Sequence, residues 1–96
     1  MAAVTADFDL DQPYQLHPSV SVRPERFGAL LYHFGTRRLS FLKSSTLLGV
    51  VRALDEHPSG RAACTAAGVP AAELPAYERA LASLAASTMI EPRSES

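Results

Sequence analysis

The chain has a single cysteine, Cys64, which excludes an intrachain disulfide and a cysteine-built metal cage. Its five glycines are scattered singly, so no glycine-rich loop is available to cradle a phosphate. No apolar run approaches the ~20 residues that span a bilayer, and no membrane partner is expected. Met1-Ala2-Ala3-Val4 runs into Asp7, Asp9 and Asp11 without the basic flank and apolar stretch of a secretory signal, so a cytoplasmic location is expected. His17, His33 and His57 fall in three separate segments, without Cys or acidic partners at ligand spacing. No carboxylate pair sits in a pocket-forming apolar context, and Ser44, Ser45 and Thr46 read as helix caps rather than nucleophiles. These absences leave no positive case for an enzyme, a metal or a cofactor.

The 96 residues suit one domain, and their 47% apolar share supports a single core of modest depth. Net charge is −1, but it is unevenly spread. Residues 1–12 carry three aspartates and no base. Across residues 20–52, Arg23, Arg26, Arg37, Arg38, Lys43 and Arg52 face Glu25 alone, a net of +5. From Asp55 onward, six acids outnumber three arginines. A partner meeting the central basic block should be acidic, although such charges also serve to keep sheet edges apart.

The acidic, aperiodic residues 1–15 read as a flexible tail. Val20 and Val22 alternate with serines between His17-Pro18 and Arg23-Pro24, which marks a short edge strand. Pro24-Glu25-Arg26 then turns the chain into a second strand over Phe27 to Phe34. There Leu30, Tyr32 and Phe34 share one face, and Ala29, Leu31 and His33 share the other. One face must pack on the helices, and the mixed one is expected to meet solvent or another chain. Gly35-Thr36 reads as a tight turn into a third strand, Arg37 to Leu42, with no second sheet behind it. Helices follow: one capped by Ser44-Ser45-Thr46 and ending before Pro58, one capped by Ser59 over Gly60 to Ala67, and one from about Ala72 to Ser87. Pro75 fits the first turn of the last helix, and Leu74, Tyr77, Leu81 and Leu84 form its apolar stripe. Thr88 to Glu91 reads as an extended return to the sheet or core, and residues 92–96 as a fraying end. The expected fold is α+β and winged-helix-like: an N-terminal three-stranded antiparallel sheet followed by three helices.

A sheet that ends on the Arg37–Leu42 strand has an unpaired rank of N–H and C=O groups able to take up an extended peptide. Arg37 and Arg38 can engage carboxylates as forked donors, while Leu39 and Phe41 lie opposite Arg38 and Ser40. With Leu42 closing the strand, the last helix is the natural floor, offering Tyr77, Ala80, Leu81 and Leu84. Plain core packing is the alternative for Tyr77, Leu81 and Leu84. A winged-helix DNA-binding regulator is a second reading. It is weakened by helices that offer only Arg61, or Arg79 beside Glu73 and Glu78, so no nucleic-acid partner is expected. A homodimer pairing two third strands is a further possibility.

From Leu16 to Glu91 the chain resembles the PqqD-like peptide chaperones, or RiPP recognition elements. The resemblance rests on Pro18-Ser19-Val20-Ser21-Val22-Arg23-Pro24-Glu25, Phe27-Gly28-Ala29-Leu30-Leu31-Tyr32 and the stretch Gly35 to Leu42. It continues in the helix Leu47-Leu48-Gly49-Val50-Val51-Arg52-Ala53-Leu54 and in Leu81-Ala82-Ser83-Leu84 ahead of Met89-Ile90. Leu16 to Tyr32 is most similar to the mycofactocin-system peptide chaperones. The resemblance implies a non-catalytic domain spanning residues 16–91. Such a domain binds the leader of a ribosomally made precursor as an extra strand, in a cleft shared by the third strand and third helix. It then presents the peptide to a radical S-adenosylmethionine (SAM) maturase. The precursor leader of that system is rich in Glu and Asp, in agreement with the basic block. The family pattern does not fix which side chains touch the peptide.

Overall fold

The computed structural model describes residues 8–93. Three strands form an antiparallel sheet in the order β2-β3-β4: β2 (Val20–Glu25), β3 (Gly28–His33) and β4 (Leu39–Leu42). β2 holds an edge, where Pro24 needs no ladder donor on its free side. Its valines and the Ala29–Leu31–His33 set share the inner face. Ala29 and Leu31 are fully buried and His33 is 4% exposed. Leu30 and Tyr32 point the other way. The β2–β3 turn is Arg26-Phe27 alone, so Phe27 is a turn residue rather than the start of a strand. Gly28 closes this turn with φ +152°, a conformation that side chains rarely adopt.

The third strand is shorter than expected. It begins at Leu39, and Arg37 and Arg38 belong to the loop before it. The cause is His33, whose Nδ1 accepts hydrogen bonds from the N–H groups of Gly35 (3.0 Å) and Thr36 (3.1 Å). Arg37 donates its N–H to the His33 carbonyl at 2.7 Å and takes up φ 65°, which swings the chain out of extended geometry. A two-residue turn at Gly35-Thr36 is therefore replaced by a loop nucleated on an imidazole.

A second sheet, against expectation, joins β1 (Tyr14–Leu16) to β5 (Ile90–Pro92). The expected flexible tail covered residues 1–15. Residues 1–7 lie outside the described residues, but Leu10 is 2% and Tyr14 4% exposed, so both are core residues. The Phe8 ring stacks on Tyr14 at 4.9 Å, and the Tyr14 hydroxyl accepts from the Asp9 N–H. The carbonyls of Leu10 and Gln12 accept from the N–H groups of Arg61 and Gly60, two orphan donors at the start of a helix. At the other end, where fraying was expected, the Arg93 guanidinium donates to the carbonyls of Asp55 and His57 at 2.6 and 2.7 Å. Residues 94–96 lie outside the described residues.

The helices follow their sequence signals. α1 (Ser45–Ala53) is capped by the Ser44 hydroxyl accepting from Leu47 N–H, and α2 (Gly60–Ala66) by Ser59 accepting from Ala62 N–H. α3 (Leu74–Ala86) has Pro75 in its first turn. Thr88, at φ 64°, ends α3 in the left-handed position, and the Met89 N–H donates back to the Leu84 carbonyl. The core lies between the inner sheet face and the helices, with Leu31, Val50, Leu54, Leu81, Met89 and Ile90 at 1% exposure or less. The α+β frame of a three-stranded sheet and three helices thus stands, with a second, two-stranded sheet added to it.

Candidate functional site

Among the described residues β4 pairs with β3 alone, so its other side is an open edge. The phase of that edge follows from one bond: the His33 N–H donates to the Arg38 carbonyl at 3.0 Å. Bonded pairs recur every second residue in an antiparallel ladder. The register therefore puts Leu31–Ser40 and Ala29–Leu42 in the bonded phase and turns the main-chain groups of Leu39 and Phe41 to the free side.

Beside this edge runs a groove. Ser40, Phe41 and Leu42 of β4, Leu47 of α1, and Ala80, Ser83 and Leu84 of α3 line a hollow of about 290 Å³. A second hollow of about 170 Å³ is lined by Ser44, Leu47, Ala76, Tyr77 and Ala80. Leu47 and Ala80 wall both, so the groove continues along α3. The groove exists because Ala76, Ala80 and Ser83, spaced at four and three residues, keep one stripe of α3 low enough for β4 to stand off.

Six of the sequence-predicted residues (Ser40, Phe41, Leu42, Tyr77, Ala80 and Leu84) meet in this groove. Leu81 does not, because it is fully buried in the core. The side chain of Leu39 points to the outer sheet face and is 62% exposed. Arg37 and Arg38 are exposed in the loop that leads into β4, next to its open edge but outside the strand. Leu47, Ser44, Ala76 and Ser83 were missed. The small-residue stripe of α3 was a legible signal for the last two, whereas Leu47 read only as part of an apolar helix face.

Two of the shifted titratable groups, Cys64 and Asp11, owe their shifts to burial and to an ion pair. Burial pushes the Cys64 thiol up, with Arg61 opposing it, so Cys64 behaves as a small buried hydrophobe. Asp11 sits 2.6 Å from Arg61, and that hydrogen bond holds its carboxyl below the ordinary 3.8. No cluster of His, Cys, Asp or Glu among the described residues could hold a metal ion, and no helix is long and apolar enough to cross a membrane.

Residues 13–91 match the family described as "Peptide chaperone MftB family". The chain is 56% identical over 92 residues to the peptide chaperone MftB of Mycobacterium ulcerans, covering 96% of this chain and 84% of that one. It is 54% identical over 91 residues to that of Mycobacterium tuberculosis, covering 95% and 84%. Against that of Mycolicibacterium smegmatis the figure is 53% over 85 residues, covering 88% and 83%. No solved structure gives a significant match. With an open strand edge above an apolar groove, and with a family match that starts at Pro13 and so takes in β1, the chain belongs to the MftB peptide chaperones, the mycofactocin-system RiPP recognition elements.

Proposed function

We infer that this chain is a non-catalytic cytoplasmic chaperone that binds the acidic leader of a ribosomally made precursor peptide. The leader adds to β4 as a fourth strand, and the chain hands the peptide to the radical SAM maturase of mycofactocin biosynthesis. The observation that carries this reading is the coincidence of an open edge, a groove and a cluster of bases. The N–H and C=O groups of Leu39 and Phe41 offer four main-chain hydrogen bonds, which at a net ~1 kcal/mol each raise affinity about a thousandfold whatever the leader's sequence. The groove from Leu84 to Tyr77 takes alternate apolar side chains of the guest. Arg37, Arg38 and Lys43, all exposed, meet its carboxylates. A DNA-reading role is not favoured, since the lone base of α2, Arg61, is engaged by Asp11.

The test follows the ladder phase. Amide exchange is measured with and without an acidic leader peptide. At 100 Kd of peptide, the Leu39 and Phe41 amides should slow roughly 100-fold, while Ser40 and Leu42, already bonded to β3, change little. Protection confined to α2 would sink the proposal. Arg37→Glu with Arg38→Glu should weaken binding and flatten its salt dependence.

A further inference from the structure

On the sheet face turned away from the helices, β2 presents Ser21, Arg23 and Glu25, but the β3–β4 part is apolar where a solvent-facing sheet would alternate to polar residues. Leu30 and Tyr32 of β3 lie opposite Phe41 and Leu39 of β4 on this face. Phe34 joins them, its ring meeting that of Tyr32 edge-on at 5.6 Å. Phe34, Leu39 and Phe41 are 59%, 62% and 50% exposed. At roughly 200 Å² per large side chain they alone leave ~300 Å² of apolar surface in water. A patch of that size on a small monomer is of the kind that marks an interaction site.

The surrounding charge selects the occupant. Arg23, Arg26, Arg37, Arg38 and Lys43 are exposed along this sheet and its two loops, opposed only by Glu25, which lies 3.2 Å from Arg23. A second copy docked face to face about a two-fold axis would set this basic rim against itself. Single-stranded nucleic acid would want open ring faces for its bases. Here leucines hold two of the four ladder positions, and the Tyr32 and Phe34 rings stand at 78° to each other. What fits both the apolar centre and the basic frame is a folded protein.

We propose that the outer sheet face docks a partner protein whose contact surface is apolar and edged with carboxylates, leaving the β4 edge and its groove free. This rests on the delivery reading above: a chaperone that holds its peptide along one edge needs a separate surface for the recipient, here the maturase. Occupancy of the two surfaces is compatible, because the guest strand lies beside β4 while the partner lies across the sheet.

The experiment uses the full chain, the leader peptide and the purified radical SAM maturase of the same biosynthetic system. The variant is Tyr32→Thr with Phe34→Ser, two outer-face side chains in ring contact that lie away from the β4 edge and outside the groove, with Phe34→Ser alone as the fallback if the double variant does not fold. Maturase affinity should fall on the order of 30-fold, as expected for losing two such apolar contacts, while leader affinity stays within about threefold. Unchanged maturase affinity with leader binding intact overturns the docking face and leaves the proposed function standing. If the wild-type chain fails to bind leader at all, the proposed function falls, and the maturase measurement still decides the face. No maturase binding by the wild-type chain also overturns the inference. So does a homodimer, or an oligonucleotide complex, that Phe34→Ser abolishes.

Discussion

Gly28→Ala should be a highly damaging single-methyl change, because Gly28 backs the Leu42 and Ser44 main chain of the groove wall. A Cβ there would stand 1.8 Å from the Leu42 carbonyl oxygen, 2.8 Å from its carbon and 2.9 Å from the Ser44 nitrogen, all backbone atoms. Contacts of that kind do not fall below 3.0 Å, so β4 must retreat by roughly 1.2 Å, and no side chain can absorb the shift. That displacement breaks the two ladder bonds expected at the Ala29–Leu42 pair, a loss of ~2 kcal/mol. Forcing alanine to φ +152° adds about 1–3 kcal/mol. Because Ser44 caps α1, the retreat also disturbs the helix start beside Leu47. Urea unfolding should therefore report a loss of about 3–5 kcal/mol, a large part of the ~5–15 kcal/mol of a whole domain. Leader binding should fall in parallel, since the Leu42 end of the edge moves. A loss below ~0.5 kcal/mol with an unchanged m-value would refute the reasoning.

Gly49→Ala is the matching control: Gly49 is exposed within α1 and an added methyl meets nothing within 4 Å, so urea unfolding should show a gain of ~1 kcal/mol. Cys64, fully buried with its thiol pushed up, should resist a thiol reagent in buffer and react fully in urea; rapid native labelling would contradict its placement. The Asp11 carboxyl lies below its ordinary value in the folded chain, so its pairing with Arg61 stabilises above pH 3.8 and is lost as pH falls through the lower folded value. The Asp11→Asn variant should accordingly show a flatter acid limb in a stability–pH series, with the two proteins converging at the acid end.

Local chemistry was readable where the signal is local. Ser44 and Ser59 announce helices because a hydroxyl ahead of an apolar periodic run caps first-turn N–H groups. Val20-Ser21-Val22, followed by Pro24, announces an edge for a similarly short-range reason. What escaped was non-local or side-chain driven. Three residues, Tyr14-Gln15-Leu16, show no period, and their partner strand is far away in sequence. Leu10 and Tyr14 were hidden among aspartates whose acidity masked two core positions. Arg37 seemed extended because nothing in the sequence said that His33 would gather the N–H groups of the loop. The groove was half legible: its edge strand follows from alternation, but its floor depends on how far α3 stands from β4.

The small β1–β5 ladder has a kinetic meaning. Gln15 and Glu91, joined by a 2.7 Å hydrogen bond, are 76 residues apart. Closing so wide a loop, instead of a hairpin, demands roughly 2.5 kcal/mol more chain entropy before any contact returns it. That clasp should therefore form late, after sheet and helices have assembled, and its release should be an early step in unfolding. Because the clasp also tethers Tyr14 and Ile90 in the core, its release should uncover that core and set the rest of the domain to unfold.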